Sequence, residues 1–337
     1  MLQFKNSTPF KGTIMLLPDP DGIDCVFTVV KATFTLAEKP VPVDDQLPVA
    51  VEQEFHGEPD QSSIKSPSDV SLMKPGTDVL LMGKAYAPRG RPTTWMDVAL
   101  TVGPVKKTVR VFGERHWQTS TKEVTYSISA PEPFEEMPLM WERAFGGVDR
   151  TMKPPRHELR NLVGTGFRAS EVQAAISGVR LPNLEDPAAP ITSWQQAPQP
   201  AGFAPICAHW EPRRSFAGTY DDEWLKHRAP YLPKDFDPRF LQLAPSGLVA
   251  PGYLKGGEPV ELRGVTRSGV ARFRLPQVTL KVSYRLDGSP QERPAYLDTV
   301  VIEPELSRFS LTWRSVFPCD KKALRVSEVE AALVSLN

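Results

Sequence analysis

Proline most limits what this chain can fold into, because 35 of its 337 residues are proline and 22 are glycine. Proline lacks a backbone N–H, so it ends helices and is excluded from the central strands of sheets. Many residues must therefore lie in loops. The hydrophobic fraction, 40%, is that of a folded protein and argues against disorder. We expect an irregular but packed region laid against sheets.

The distribution of charge limits which classes of partner the chain can bind, and the cysteine content indicates the cellular compartment. The 40 basic and 40 acidic residues form no long block of one sign that would attract nucleic acid or anionic lipid. Cys25, Cys207 and Cys319 lie far apart, which is typical of a reducing compartment. The apolar run at 14–17 ends at Pro18, too short for a signal peptide, and no window could span a bilayer. We expect a cytoplasmic protein with no nucleic-acid partner and no membrane insertion; its oligomeric state stays open.

Alternation of apolar and polar residues, with many β-branched side chains, predicts strands in the first and last parts of the chain. Residues 103–106 and 267–269 have the composition of hairpin turns. The strand at 23–36 is expected to be half-buried. The predicted strands are 23–36, 49–55, 77–88, 94–103, 107–117, 122–131, 258–266, 270–276, 277–286, 295–302 and 307–314.

These patterns predict a mainly β fold of antiparallel, sandwich-like sheets, with a long proline-rich, mostly irregular insert and a few short helices. Residues 1–130 form an N-terminal β block and residues 258–337 a C-terminal β block, and the two are expected to share one core. Residues 131–257 form the insert, packed on the sheets. It is far longer than an ordinary connection, which indicates an architectural or functional role.

Helix end signals occur at three places. Residues 170–178 have a serine cap, a capping-box glutamine and a glycine stop. Residues 221–228 combine an aspartate cap with basic residues at the C-terminal end. Residues 327–337 follow a Ser-x-x-Glu start and predict a helix with one apolar face. That face consists of Val329, Ala332, Leu333 and Leu336.

The sequence carries no signature of a catalytic or metal site. Its five histidines are isolated, and no cysteine or histidine pair has the spacing of zinc ligands. It contains neither a nucleophile elbow nor a phosphate-binding loop. The glycines of 163–167 lack the preceding strand that a dinucleotide site requires, so a turn is favoured there. We therefore predict no metal, no cofactor and no enzymatic activity.

Acidic residues are densest at 220–240, where they could bind a hard cation or act as the acid pair of a hydrolase. A structural role explains their positions better. The first of them stand where a helix start needs acceptors, and Arg228 and Arg239 are near enough to pair with the others. The residues concerned are Asp221, Asp222, Glu223, Asp235 and Asp237.

Aromatic, arginine and glycine residues of the insert are the candidates for binding a partner. A segment with few ladder bonds must bury large rings to hold its shape, so self-packing explains most of them and a minority would be interface anchors. The paired glycines within 141–149 allow a sharp turn or the close approach of another chain. The candidates are Trp141, Arg143, Phe145, Gly146, Gly147, Trp210, Trp224, Arg228, Tyr231, Phe236 and Arg239.

Several unusual segments, in order along nearly the whole chain, resemble one family. The family comprises proteins first described as a domain of unknown function and encoded in type VI secretion gene clusters, beside spike genes and genes for effectors of PAAR or Rhs type. The segments that carry the resemblance are WERAFGGVDR (141–150), NLVGTGF (161–167), LPNLEDP (181–187), the long stretch 200–245 and LKGGEPVELRGVT (254–266).

The resemblance implies an effector adaptor or chaperone. Such a protein binds a toxin effector with a PAAR or Rhs module in the cytoplasm and promotes its loading onto the spike protein. Either an open sheet edge or the aromatic residues of the insert could provide the binding surface. Two alternatives remain: a carboxylate-dependent hydrolase of carbohydrate type, and a structural component of the secretion apparatus.

Overall fold

The chain folds mainly into β-strands, as predicted. The computed structural model describes residues 2–119, 126–169 and 176–337. In chain order the strands are β1 (Gln3–Ser7), β2 (Lys11–Pro18), β3 (Asp24–Thr35), β4 (Glu54–Phe55), β5 (Ile64–Ser66), β6 (Asp78–Leu81), β7 (Lys84–Tyr86), β8 (Trp95–Val102), β9 (Val105–Phe112), β10 (Trp117–Thr119), β11 (Tyr126–Ile128), β12 (Glu136–Pro138), β13 (Phe145–Gly146), β14 (Val148–Asp149), β15 (Arg156–His157), β16 (Thr165–Gly166), β17 (Leu184–Glu185), β18 (Pro259–Arg263), β19 (Val270–Arg274), β20 (Val278–Leu286), β21 (Ser289–Arg293), β22 (Tyr296–Glu303), β23 (Arg308–Pro318) and β24 (Val326–Leu336).

Helices are short in the described part of the chain. The α-helix α1 spans Asp222–His227, which confirms the helix predicted at 221–228. None of the described helices is long and apolar enough to cross a bilayer. The remaining helical turns are 3-10 helices at Pro88–Gly90, Trp141–Arg143, Arg213–Phe216, Pro238–Leu241, Pro304–Leu306 and Asp320–Arg325.

Three larger sheets organise the strands. The first has the order β2-β3-β23-β22-β6, the second β17-β9-β8-β18-β19, and the third β1-β24-β20-β21. Most neighbours are antiparallel, as predicted, but β22 with β6, β1 with β24 and β13 with β16 are parallel. Each of the three sheets combines strands from before and after the predicted insert.

Strand β3 is buried on both faces, not half-buried as its alternation predicts. Side chains at alternate positions share one face of a strand. On the even-numbered face, Val26 packs in a cluster with the third sheet, whereas Val30 and Phe34 pack in the main core with the second sheet. Two sheets therefore lie side by side over one face of the first sheet. The opposite face carries Lys31, which pairs with Asp69 at 2.7 Å beneath the loop before β6.

The insert lies against the free edge of β6. Backbone N–H groups of Val79 and Leu81 donate to the carbonyls of Leu248 (2.9 Å) and Phe203 (3.3 Å). Large side chains of the insert also enter the main core, where Phe203 is fully buried. Loop residues thus cover a sheet edge that would otherwise expose unpaired amides.

A chain of buried charges runs through the first sheet. Arg314 on β23 donates to Asp298 on β22 at 2.6 Å, and neither side chain is more than 1% exposed. Lys74 donates to Asp78 of β6 (2.8 Å) and to Thr299 (2.7 Å). Buried charges are tolerated only when paired and hydrogen-bonded, so these contacts fix which strands can be neighbours.

The helix predicted at 327–337 is wrong, because this segment forms β24. Val329, Ala331 and Leu333 also alternate, and Val329 and Ala331 are fully buried. The strand lies between β1 and β20, so its backbone gains ladder bonds on both sides. These tertiary contacts outweigh the helix propensity of a segment rich in alanine, leucine and glutamate.

Most other strand predictions are confirmed, but the predicted strand 77–88 is divided into β6 and β7, which belong to different sheets, and two further segments are extended only in part. Only Glu54–Phe55 of the predicted strand 49–55 is extended and paired. In 122–131 the strand covers Tyr126–Ile128, and residues 122–125 lie outside the described residues. The helix predicted at 170–178 falls mostly on 170–175, which also lie outside them. Among the described strands, the sequence patterns missed β1, β2, β5, β21 and the short strands β12–β17 of the insert.

Removing one partner of the buried pair should be far more damaging than breaking an exposed one. Arg314→Met leaves the Asp298 carboxylate buried without its cation, and we expect the free energy of unfolding to fall by about 3–5 kcal/mol. The control Arg325→Met breaks the surface pair with Asp287, whose side chains are 54% and 45% exposed. Its cost should stay below about 1 kcal/mol. Urea unfolding measures both, and equal costs would contradict the role assigned to the buried pair.

Candidate partner-binding surface

The paired glycines, for which the sequence allowed either a sharp turn or a binding edge, form a tight internal turn. Gly146 and Gly147 have φ of +151° and +97°. A Cβ at Gly147 would lie 2.3 Å from the carbonyl oxygen of Gly164, and one at Gly146 would lie 2.3 Å from that of Asn161. The Asn161 side-chain amide also donates to the Trp141 and Phe145 carbonyls. The close approach that glycine permits is therefore to this chain's own backbone.

Three predicted anchors lie inside the protein. Trp141, Phe145 and Trp210 are each less than 5% exposed. The indole N–H of Trp141 donates to the carbonyl of Pro205 at 2.9 Å, and its ring meets Trp210 edge-on at 6.2 Å. In this structure these rings contribute to core packing and are not available to a partner.

Arg143 pairs with an acid that the sequence did not indicate. Its guanidinium donates to Glu114, which also accepts from Arg180, and to Asn183 at 3.1 Å. Burial alone would raise the pKa of Glu114, but the hydrogen bonds from Arg180 and Arg143 lower it overall. Because Glu114 stays ionised between two cations, this cluster fastens the loop before β10 to the insert.

The carboxylates of 220–240 have the structural bonds expected of caps and braces. Asp221 accepts from the backbone N–H of Trp224 at 2.8 Å and so caps α1. Asp235 accepts from the backbone N–H and hydroxyl of Thr219 at 3.0 and 2.7 Å, and these bonds lower its pKa. Asp237 accepts from the guanidinium of Arg239 at 2.9 Å, which lowers its pKa as well.

No group of three or more histidine, cysteine or acidic side chains is arranged to hold a metal ion, as far as the described residues go. The remaining acids of the segment, Asp222 and Glu223, are exposed on the first turn of α1. Glu223 lies 3.8 Å from His227, an ordinary helix-surface contact.

Three further candidates, Trp224, Arg228 and Tyr231, lie on α1 or on the segments that flank it. We call this part of the chain, residues 219–232, the aromatic loop. The indole N–H of Trp224 donates to the carbonyl of Tyr231 at 2.8 Å, which closes the loop on itself. Arg228 donates to the carbonyl of Leu232 at 2.8 Å and also to that of Pro20 in the turn between β2 and β3. The loop is therefore tied both to itself and to the N-terminal part of the chain.

Several apolar side chains of this loop are exposed. Leu225, Tyr220 and Tyr231 are 64%, 53% and 40% exposed. The ring of Tyr220 packs edge-on against half-buried Trp224 at 4.7 Å. We call these four residues the aromatic patch. Clustered apolar exposure on an ordered segment is typical of a protein-binding surface.

The last two candidates, half-buried Phe236 and exposed Arg239, follow the loop in sequence. Phe236 packs on Phe240 at 5.8 Å, and the Arg239 guanidinium lies 4.2 Å from the ring centre of Phe216. The aromatic rings here are held by each other and by cation–π contacts.

The candidates drawn from the sequence did not include Tyr220, and sequence reasoning also missed Leu225 as a site residue. The signal available was its position on a six-residue helix whose other residues are acidic, basic or aromatic. A lone leucine on so short a helix does not reveal whether it is packed, and only the folded chain shows it exposed.

Comparison with known proteins gives one family match. The family described as an uncharacterized protein conserved in bacteria, DUF2169, matches residues 21–314. Neither the curated proteins nor the solved structures contain a match to this chain.

Two glycines with the same backbone angle provide a test of the turn. Gly147 and Gly252 both have φ of +97°, but a Cβ at Gly252 would meet no atom within 4 Å. Alanine at either position costs about 1–2 kcal/mol of backbone strain. Gly147→Ala adds the clash with Gly164, so we expect it to destabilise by at least about 1 kcal/mol more than Gly252→Ala. Thermal or urea unfolding measures the difference, and its absence would show that the turn can open without cost.

Proposed function

We propose that this chain, which belongs to the DUF2169 family of bacterial proteins, is an effector adaptor of type VI secretion. In this role it binds a toxin effector with a PAAR or Rhs module in the cytoplasm and promotes its loading onto the spike protein. The proposal rests on the resemblance of segments along nearly the whole chain to such proteins. The aromatic patch is the observation that supports it, because an adaptor acts through an exposed surface.

The composition of the patch suits a protein interface. Tyrosine, tryptophan and arginine are the residues most often found to dominate binding energy. Here Tyr220, Trp224 and Tyr231 lie within one short loop, and Arg228 lies 5.9 Å from the ring centre of Tyr231. Exposed charged side chains, among them Asp222 and Lys226, lie on the same short helix as exposed Leu225. An apolar centre with a charged rim is the usual anatomy of an interface.

The loop is ordered before any partner arrives. Besides the bonds of Trp224 and Arg228, the ring of Tyr231 lies over Gly22, where an added Cβ would be 3.2 Å from the ring. A partner then has few side chains to immobilise on binding, and less of the interaction energy is lost to ordering.

Binding alone would explain a chaperone effect. A partner that binds only the folded effector stabilises it by RT ln(1 + [L]/Kd), about 2.7 kcal/mol when the adaptor is at a hundred times its Kd. No chemical step is needed.

The hydrolase alternative has less support, because Asp221, Asp235 and Asp237 each accept hydrogen bonds from within the insert. The structural-component alternative differs from the adaptor in where the protein is found. Fractionation separates the two: an adaptor stays in the cytoplasm, whereas a component is recovered with the assembled or exported particle.

Changing the patch should weaken effector binding without unfolding the chain. We expect the double variant Tyr220→Ala with Leu225→Gln to bind the effector encoded beside this gene at least about tenfold more weakly, as measured by titration calorimetry. Glutamine matches leucine in helix propensity, so α1 should persist. The control Leu324→Gln alters a leucine that is 98% exposed outside the patch and should leave binding unchanged.

Deletion of the gene tests the function itself. The adaptor role predicts loss of effector export and a lower effector level in the cell. Export and effector level that are unaffected by the deletion would contradict the adaptor role.

A further inference from the structure

The end strand of the second sheet, β19, has one unpaired edge. Within the described residues its ladder partner is β18 alone. Gly269 and Leu275, at its two ends, bond to the β18 side: Gly264 donates to the carbonyl of Gly269 at 2.8 Å, and Leu275 donates to the carbonyl of Glu258 at 3.0 Å. The N–H and C=O groups of successive residues alternate between the two sides of a strand. Those of Val270, Arg272 and Arg274 therefore point away from β18, to the open edge.

A groove follows this edge, and its larger part also extends across β18 and β8. Two cavities of about 720 and 1100 Å³ are lined by 270–273 and 272–277, respectively, and meet at Glu38, Arg272 and Phe273. Consecutive side chains of a strand point to opposite faces, so a cavity lined by four in a row lies beside the strand. The opposite wall is formed by residues 36–42, which follow β3.

The base of the groove is rigid. Phe273 of β19 is buried and stacks on Phe309 at 4.9 Å, and Phe309 stacks on Phe34 at 5.6 Å. These rings join the edge strand to the first sheet. The unpaired backbone groups of β19 are thus held in place to receive another strand.

The lining combines apolar surface with an excess of positive charge. Apolar residues of the larger cavity include Val41 and Leu336, which are exposed, and Leu275, which is buried. Of its cations, Arg272 is paired with Glu261 at 2.7 Å, and the Arg274 guanidinium bonds a neutral acceptor, the carbonyl of Gly257. Lys39 and Lys106 add two more positive charges, against Glu38 and Glu261.

We propose that the open edge of β19 binds an extended, acidic segment of a partner protein as an added strand. Backbone groups of Val270, Arg272 and Arg274 pair with the segment, apolar side chains on one of its faces enter the groove, and acidic side chains meet Arg274 and Lys39. Main-chain bonds of this kind give affinity, and the alternate side chains give specificity.

A second copy of this chain fits the edge less well. Antiparallel pairing of β19 with itself, centred on Arg272 or on Phe273, places Arg272 opposite Arg272 or Arg274 of the other copy, and like charges directly opposite are destabilising. The same positions favour glutamate or aspartate. The charge of the strand therefore selects a different, acidic partner.

This inference rests on the proposed function in one respect, namely that the partner segment belongs to the effector. The groove lies on the second sheet and shares no residue with the aromatic patch. An adaptor with both surfaces would hold a folded part of the effector at the patch and an extended part at the edge of the sheet.

A defined peptide tests the groove without the effector. The probe is a fluorescent peptide of about eight residues that alternates valine and glutamate, with valine–lysine alternation as its control. Fluorescence anisotropy should show saturable binding of the glutamate peptide, at least about tenfold tighter than that of the lysine peptide. Absence of saturable binding up to about 1 mM would overturn the proposal.

Two variants at one position separate backbone pairing from charge. Arg272→Pro removes an N–H that points to the open edge and leaves the β18 ladder intact, whereas Arg272→Ala removes the same side chain and keeps the N–H. We expect Arg272→Pro to weaken the glutamate peptide by at least about tenfold and Arg272→Ala to weaken it less. Equal binding to wild type, Arg272→Ala and Arg272→Pro would overturn the proposal.

Effector binding by the same variants distinguishes failure of the proposed adaptor function from failure of the proposed strand-binding edge. If the wild-type chain does not bind the effector but binds the glutamate peptide as expected, the adaptor function fails and the strand-binding edge stands. If the effector binds wild type and Arg272→Pro equally and the peptide does not bind, the edge is wrong and the adaptor function stands.

Discussion

The fold depends on buried ion pairs whose charged groups also bond to parts of the chain far apart in sequence. Lys31 meets Asp69, Arg314 meets Asp298, and Asp78 accepts from Lys74. The carboxylate of Asp78 also accepts the backbone N–H of Leu243 at 2.9 Å, so one buried charge fixes both a strand and the returning end of the insert. An uncompensated charge in this position would cost several kcal/mol, which excludes most other arrangements of the strands.

Proline explains how the insert is held. A segment with few ladder bonds needs other hydrogen bonds for its carbonyls, and side chains supply them here. Buried Arg213 donates to the carbonyls of Ile206 (2.5 Å) and Phe240 (3.0 Å), and Trp141 and Asn161 act in the same way. Side-chain N–H groups of arginine, tryptophan and asparagine thus donate the hydrogen bonds that proline, lacking a backbone N–H, cannot provide. The aromatic loop is held by the same device, through Trp224 and Arg228.

The sequence was most informative where local signals and tertiary contacts agree. Alternation from residue 95 to 102 predicted β8, and the aspartate before α1 predicted its cap. It failed at β24, where Val329, Ala332 and Leu333 fit a helix and Val329, Ala331 and Leu333 fit a strand; only the neighbours β1 and β20 decide. Trp210 and Trp224 look alike in sequence, yet one is buried and the other lies at the surface. Burial depends on distant segments, so the candidate site could be narrowed to the insert but not to the patch.

Interleaving of early and late strands has a consequence for synthesis of the chain. Phe34 of β3 pairs with Phe309 of β23, and Phe4 of β1 with Val329 of β24. Contacts so far apart along the chain give a high contact order and slow folding. On the ribosome, β3 emerges long before its neighbour β23. One edge of β3 therefore stays unpaired, and its apolar side chains stay uncovered, until nearly the whole polypeptide has been made. A protein proposed to protect others would itself pass through a prolonged stage in which it needs protection.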